Sequence, residues 1–204
     1  RQSNQACIMI ADATGHGLPS ALLTASARSC LSIFQKQSDE AGRIPFTPQA
    51  MMSYLNYAIF DAAHGHIMMT FFVCIIDLEK KSLTYANAGH NPPWLLKKDG
   101  DTYFPHSLNS GGMRLGETLD MEMPPEVNLA LNSNDILFLY TDGLIEGKNP
   151  TGEFYGKKSV RKVVLEAAPQ GGEAVVKAVL EDYKQFSQGH PLEDDITLVA
   201  TRLI

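Results

Sequence analysis

Three acidic positions far apart in the chain each lie beside an apolar, strand-like run: Asp12 in A-D-A-T-G-H-G, Asp142 in Y-T-D-G, and Asp194 with Asp195 in E-D-D-I-T. The runs are residues 7–11, 136–140 and 196–200. If they pair in one sheet, the carboxylates gather at its edge. Gathered carboxylates repel one another and are poorly solvated, which requires raised pKa values or a bound cation. The chain has no His/Cys cluster with zinc-ligand spacing, so oxygen ligation points to magnesium or manganese. The pattern reads as a metal site.

The 204 residues, 44% of them hydrophobic, suit one domain with a sizeable core, and no linker or repeat divides them. With 23 acidic against 17 basic residues the formal charge is -6, and scattered Lys and Arg exclude a nucleic-acid surface. Cys7, Cys30 and Cys74 are odd in number and set among apolar neighbours, which predicts reduced, buried thiols in a cytoplasmic domain. The longest apolar run, 67–76, is half a membrane span and reads as a buried strand, so no membrane contact by this domain is expected. The sequence opens at Arg1 and enters a strand at once, as expected of a piece of a longer protein whose full-length form could be membrane-tethered.

Local pattern predicts a strand over 5–11 ending at Asp12, then the turn Gly15-His16-Gly17 and a helix opened by Pro19, with Leu23, Ala27, Leu31 and Phe34 on one face. A second helix has Thr47 as N-cap and Pro48 in first position, carries Met51, Leu55, Ile59 and Ala62/Ala63, and stops near His64-Gly65. The two are expected to pack as an antiparallel pair. Met51, Met52, Met68 and Met69 read as core filler. Short runs at 68–76, 82–87 and 93–96 read as an antiparallel meander. Strands at 127–131 and 136–140, helices near 157–167 and 173–186, and a last strand at 196–203 complete the chain. Strands grouped with helices, rather than alternating strictly with them, indicate an α+β sandwich.

Taken singly, the acidic positions have ordinary readings. Asp12 could form an Asx-turn or cap a helix, and Asp-Gly at 142–143 is a common turn pair. Asp194 and Asp195 open the last predicted strand, where alternation lets only one face the cluster; the other is expected to hydrogen-bond nearby backbone amides. His90 in A-G-H-N-P-P is expected to brace a hairpin by side-chain to backbone bonds, and neither His16 nor His90 is read as a metal ligand.

Five segments in order cover most of the chain: A-D-A-T-G-H-G-L-P-S-A-L-L (11–23), Y-A-N-A-G-H-N-P-P (85–93), R-L-G-E (114–117), N-D-I-L-F-L-Y-T-D-G-L-I-E (134–146) and D-D-I-T-L-V (194–199). With them the chain resembles the metal-dependent phosphatases of the protein phosphatase 2C superfamily, in the bacterial branch of the RsbU and sporulation stage II protein E phosphatases. The resemblance implies a four-layer α-β-β-α sandwich of two antiparallel sheets flanked by helices. It implies a serine/threonine phosphoprotein phosphatase using two ions, manganese or magnesium, with a deprotonated water attacking phosphorus in line. By the same resemblance Asp12 bridges both ions, the backbone carbonyl of Ala13 ligates one, and Asp142 and Asp194 are further ligands, which makes Asp12 and Asp142 the catalytic pair. His16 has two readings: a general acid for the leaving seryl oxygen, as a differently spaced His is in eukaryotic members, or a residue of the turn. The helix over 19–36 hangs from the Asp12 turn and is a sensible place for regulation.

The implied partner is a phosphorylated regulatory protein, such as a STAS-domain anti-sigma-factor antagonist in bacterial partner switching. A homodimer is a further assembly to expect, because an unpaired strand edge invites a second chain. The family places another acidic ligand on an upstream strand ending in G-G-D, which does not precede Arg1, so a chain one carboxylate short and weak in metal and turnover is expected. A pseudo-phosphatase that binds a partner without turnover is the rival reading. A structural calcium site fits less well because the chain has no EF-hand loop.

Overall fold

The computed structural model describes residues 4–39 and 44–203, so Arg1 lies outside the described residues. In chain order the elements are β1 Gln5–Ala13, α1 Leu18–Asp39, α2 Pro48–Ala63, β2 Met69–Asp77, β3 Ser82–Ala88, β4 Trp94–Asp99, β5 Thr102–Ser107, β6 Val127–Ala130, β7 Ile136–Tyr140, α3 Asp142–Glu146, α4 Gly156–Ala167, α5 Gly172–Ser187 and β8 Leu198–Arg202. They fall into two compact units. One holds the described residues up to His90 with Asn109–Ala130; the other holds Asn91–Leu108 with the described residues from Leu131 on.

The first unit is an antiparallel sheet in the order β1-β2-β3-β6 with α1 and α2 packed on it. Among the described residues β1 is an edge strand; it runs through Asp12 to Ala13 rather than stopping before the acid. Thr47 caps α2 by accepting from the Ala50 amide, worth about 1 kcal/mol, and His64 ends the helix in the left-handed region. Met51, Met52, Leu55, Asn56 and Ile59 form the buried face of α2, whereas Ala62 is exposed. The helices are antiparallel: Phe34 packs on Tyr54, and at the other end Leu22 and Leu23 line a groove with Ala62 and Ala63. Leu23, Ala27, Phe34, Met52, Leu55 and Ile59 make a core with Phe71, Val73, Ala86 and Ala88 of the sheet. Each fully buried Leu, Ile, Val, Phe or Met among them contributes roughly 1.5–3 kcal/mol. The R-L-G-E motif serves packing here: the Gly116 amide donates to Asn56 Oδ1 at 2.7 Å, and a Cβ at Gly116 would strike Ile59. Of the three thiols, Cys74 alone is buried; Cys7 and Cys30 are half-buried.

The second unit is an antiparallel sheet in the order β5-β4-β7-β8 with α4 and α5 packed on it. Trp94, Leu96, Phe138 and Tyr140 meet Val160, Val164, Val175 and Val179 in its core. Asp135 anchors the start of β7, accepting from the amides of Asn132 and Lys98 and from Lys97 Nζ at 2.7 Å.

The expected meander stops at β3. Gly89 turns the chain at φ 70°, and Pro92 and Pro93 have no amide hydrogen for a ladder, so the next strand does not pair with β3. Instead β3 pairs with β6, while β4 pairs with β5 and β7. No described helix is long and apolar enough to cross a membrane.

Candidate metal centre

β7 is buried along its whole length and ends at Tyr140; the extended backbone of Thr141 then leads into the short helix α3. Asp142 is the first residue of that helix, rather than the corner of an Asp-Gly turn. The Thr141 hydroxyl does not cap α3. It donates to the Asp195 carbonyl at 2.9 Å and accepts from the Thr197 amide at 2.9 Å, clamping the segment before β8 against the end of β7. Gly143 is required by close approach: a Cβ there would stand 2.5 Å from the Asp195 carbonyl oxygen and 3.2 Å from the Asp194 carbonyl carbon. Its φ is not positive.

These contacts set Asp142 beside Asp194, and a carboxylate oxygen of each lies within 4.8 Å of the other. Asp142 is half-buried and Asp194 exposed. Asp194 and Asp195 lie in the loop ahead of β8, which begins only at Leu198, so strand alternation does not separate their roles. Asp194 Oδ1 accepts from the Asp195 amide at 2.7 Å, and Asp195 is engaged through its backbone rather than by its side chain reaching for amides. Next to them Lys148 spends its charge on Glu193, donating to both carboxylate oxygens at 2.7 and 3.0 Å and holding that carboxyl below its usual range. A cavity of about 320 Å³ opens among Asp194, Glu193, Lys148, Phe154, Glu146, Gly147 and Gly143. Two carboxylates at this separation, set by backbone contacts, suit a hard divalent cation.

Asp12 belongs to the first unit. It is half-buried on β1, opposite Thr70 of β2, and Ala13 lies opposite Met69. The Thr70 hydroxyl donates to the Asp12 carbonyl at 3.3 Å and sits 2.9 Å from His90 Nδ1. Beyond Ala13, the Thr14 amide donates to the Met68 carbonyl at 2.8 Å, and the Met68 amide donates to Thr14 Oγ1 at 2.9 Å. His16 is exposed in the turn made by Gly15 (φ 85°) and Gly17 (φ 84°). The His90 side chain meets the Thr70 hydroxyl, and its backbone braces the turn through Asn87. Thr141 and Thr70 were invisible to motif reading, since a lone threonine at a strand end carries no signal of its own.

Comparison with known proteins agrees with this architecture. The model of the family described as Stage II sporulation protein E (SpoIIE) matches residues 2–204. Phosphoserine phosphatase RsbU of Bacillus subtilis (strain 168) is 26% identical over 195 residues, covering 96% of this chain and 55% of RsbU. The chain thus spans about half the length of that relative. The SiaA-PP2C domain of Pseudomonas aeruginosa superposes with a TM-score of 0.82 at 20% identity, over 100% of this chain and 78% of that one. The catalytic domain of serine threonine protein phosphatase PstP, solved in complex with 2 manganese ions, gives 0.61 at 13% identity over 100% of this chain and 94% of its own. The structural likenesses speak for the fold: α+β, two antiparallel sheets flanked by helices. With its family model matched from residue 2 to residue 204, the chain belongs to the Stage II sporulation protein E (SpoIIE) family.

Proposed function

We propose that this chain is a metal-dependent phosphoprotein phosphatase acting on phosphoserine or phosphothreonine. The observation that carries the reading is the approach of the Asp142 and Asp194 carboxylates to within 4.8 Å in a member of this family. Asp12, Asp142, Asp194 and the carbonyl of Ala13 are the proposed ligands of two divalent ions, manganese or magnesium. Such ions supply Lewis acidity, lowering the pKa of water and neutralising charge on phosphoryl oxygens. Thr141 and Gly143 keep Asp142 and Asp194 in register, while Thr14 and Thr70 hold the strand end that carries Asp12. The cavity beside Asp194 offers room for a phosphorylated side chain. We assign His16 to the turn. The substrate class we infer is a phosphorylated regulatory protein of the STAS-domain, anti-sigma-factor-antagonist type, supported by family membership and by the likeness to RsbU.

The test is hydrolysis of an aryl phosphate and of a phosphoserine peptide by the chain, with manganese and with chelator. The expected result is manganese-dependent turnover, lost in Asp142→Asn, with the second ion held loosely by so few carboxylates. Turnover indifferent to chelator contradicts the proposal, and manganese binding without turnover favours a partner-binding module instead.

A further inference from the structure

The motif A-N-A-G-H-N-P-P leaves one side chain without a role in the reading so far, the imidazole of His90. It is 4% exposed, and burying an imidazole is costly unless its polar atoms are used. Its Nδ1 lies 2.9 Å from Thr70 Oγ1, which in turn lies 3.3 Å from the carbonyl oxygen of Asp12 and donates to it. A hydroxyl carries one hydrogen, so with that hydrogen directed at Asp12 the second contact needs a hydrogen from the ring. In that arrangement Nδ1 would carry the proton and donate to Thr70, which donates to Asp12; in either tautomer the two contacts link the His90 ring through Thr70 to the Asp12 carbonyl.

The backbone of His90 is fixed by Asn87. The His90 amide donates to Asn87 Oδ1 at 2.8 Å, and Asn87 Nδ2 donates to the His90 carbonyl at 3.1 Å. Asn87 is itself buried, its amide donating to Ser110 Oγ at 2.7 Å. Gly89 between them has φ 70°, and a Cβ there would meet Arg114 Cγ at 3.0 Å. The imidazole has a fixed base from which to push.

We propose that Thr70 and His90 are positioning residues, a strut of two hydrogen bonds that fixes the peptide joining Asp12 to Ala13. It thereby sets both the direction of the Asp12 carboxylate and that of the next carbonyl. The proposal rests on the reading of Asp12 and Ala13 as metal ligands. It gives Thr70 and His90 the part that outer partners of ligating groups play elsewhere: they touch no ion, yet decide whether the ligands arrive pre-aligned.

Calorimetric titration of the full 204-residue chain with manganese tests it. Thr70→Val and His90→Leu are each expected to weaken manganese binding about tenfold to a hundredfold, as outer-partner losses do. Thr70→Ser keeps the hydroxyl and is expected to stay within about threefold of the wild type, below that range. Because the two residues act in series, the double variant should bind no worse than Thr70→Val alone. Unchanged affinity in Thr70→Val, additive losses in the double variant, or a loss in Thr70→Ser as large as in Asp12→Asn overturns the strut. Should Thr70→Val prove unfolded by thermal melting, the comparison of Thr70→Ser with Asp12→Asn decides alone. Asp12→Asn separates the two layers of the argument: if it retains manganese affinity, the ligand reading fails and takes the strut with it. If it loses affinity while Thr70→Val keeps it, the strut alone fails.

Discussion

At the scale of residues, what distinguishes the acidic positions is what holds them. Asp194 accepts from the Asp195 amide and faces Asp142 across a gap that only a glycine at 143 allows. Asp195 contributes backbone atoms. Asp195→Ala is therefore expected to change turnover by less than about tenfold, below the range typical of loss of a proton-transfer group, whereas Asp142→Asn abolishes it; manganese-dependent aryl phosphate hydrolysis measures both. His16→Ala should behave like Asp195→Ala, and a loss on the order of a thousandfold would assign it the general-acid step. The positions of Asp12, Asp142 and Asp194 were legible in the sequence because an acid beside an apolar run is conspicuous. The division of labour between Asp194 and Asp195 was not, since it depends on a loop where a strand was expected.

At the scale of elements, the join between β7 and the segment ahead of β8 carries the acidic pair. Thr141 is 5% exposed, and its hydroxyl serves one donor and one acceptor of the other segment. Thr141→Val leaves both without that partner, and should cost about 1–3 kcal/mol of unfolding free energy, measurable by urea denaturation, together with a fall in manganese affinity. Gly143→Ala should reduce both manganese affinity and stability, because its Cβ would meet backbone atoms of Asp195, which the Thr141 clamp holds in place, rather than the end of a flexible side chain. The helices and their caps were readable from Thr47-Pro48 and the apolar periodicity. The partition of strands between sheets was not: β3 and β4 are close in sequence, and only the turn at Gly89 with two prolines separates them, while the partner of β3 lies some forty residues on. Long-range pairing of that kind leaves no local pattern.

At the scale of the whole molecule, buried thiol and phenol groups weaken the fold at alkaline pH, Cys74 and Tyr140 among them. Burial pushes the Cys74 thiol, and likewise the Tyr140 phenol, up to about 12. In the unfolded chain they ionise near their ordinary values of 9.0 and 10.0. Over the interval between, the unfolded chain binds fewer protons than the folded one, so the stabilisation is complete below the lower values and is lost as pH rises towards 12. The loss runs at about 1.4 kcal/mol per pH unit for each group. Urea unfolding at a series of alkaline pH values should show that slope, and Cys74→Val or Tyr140→Phe should each remove one group's share. The proposed function rests on a different requirement: that the carboxylates of Asp12, Asp142 and Asp194 all serve as ligands of the bound ions. Anomalous diffraction from a crystal soaked in manganese tests this most directly. The account predicts manganese density within coordination distance of all three carboxylates together; density touching Asp142 and Asp194 but not Asp12, or touching none of them, would contradict it.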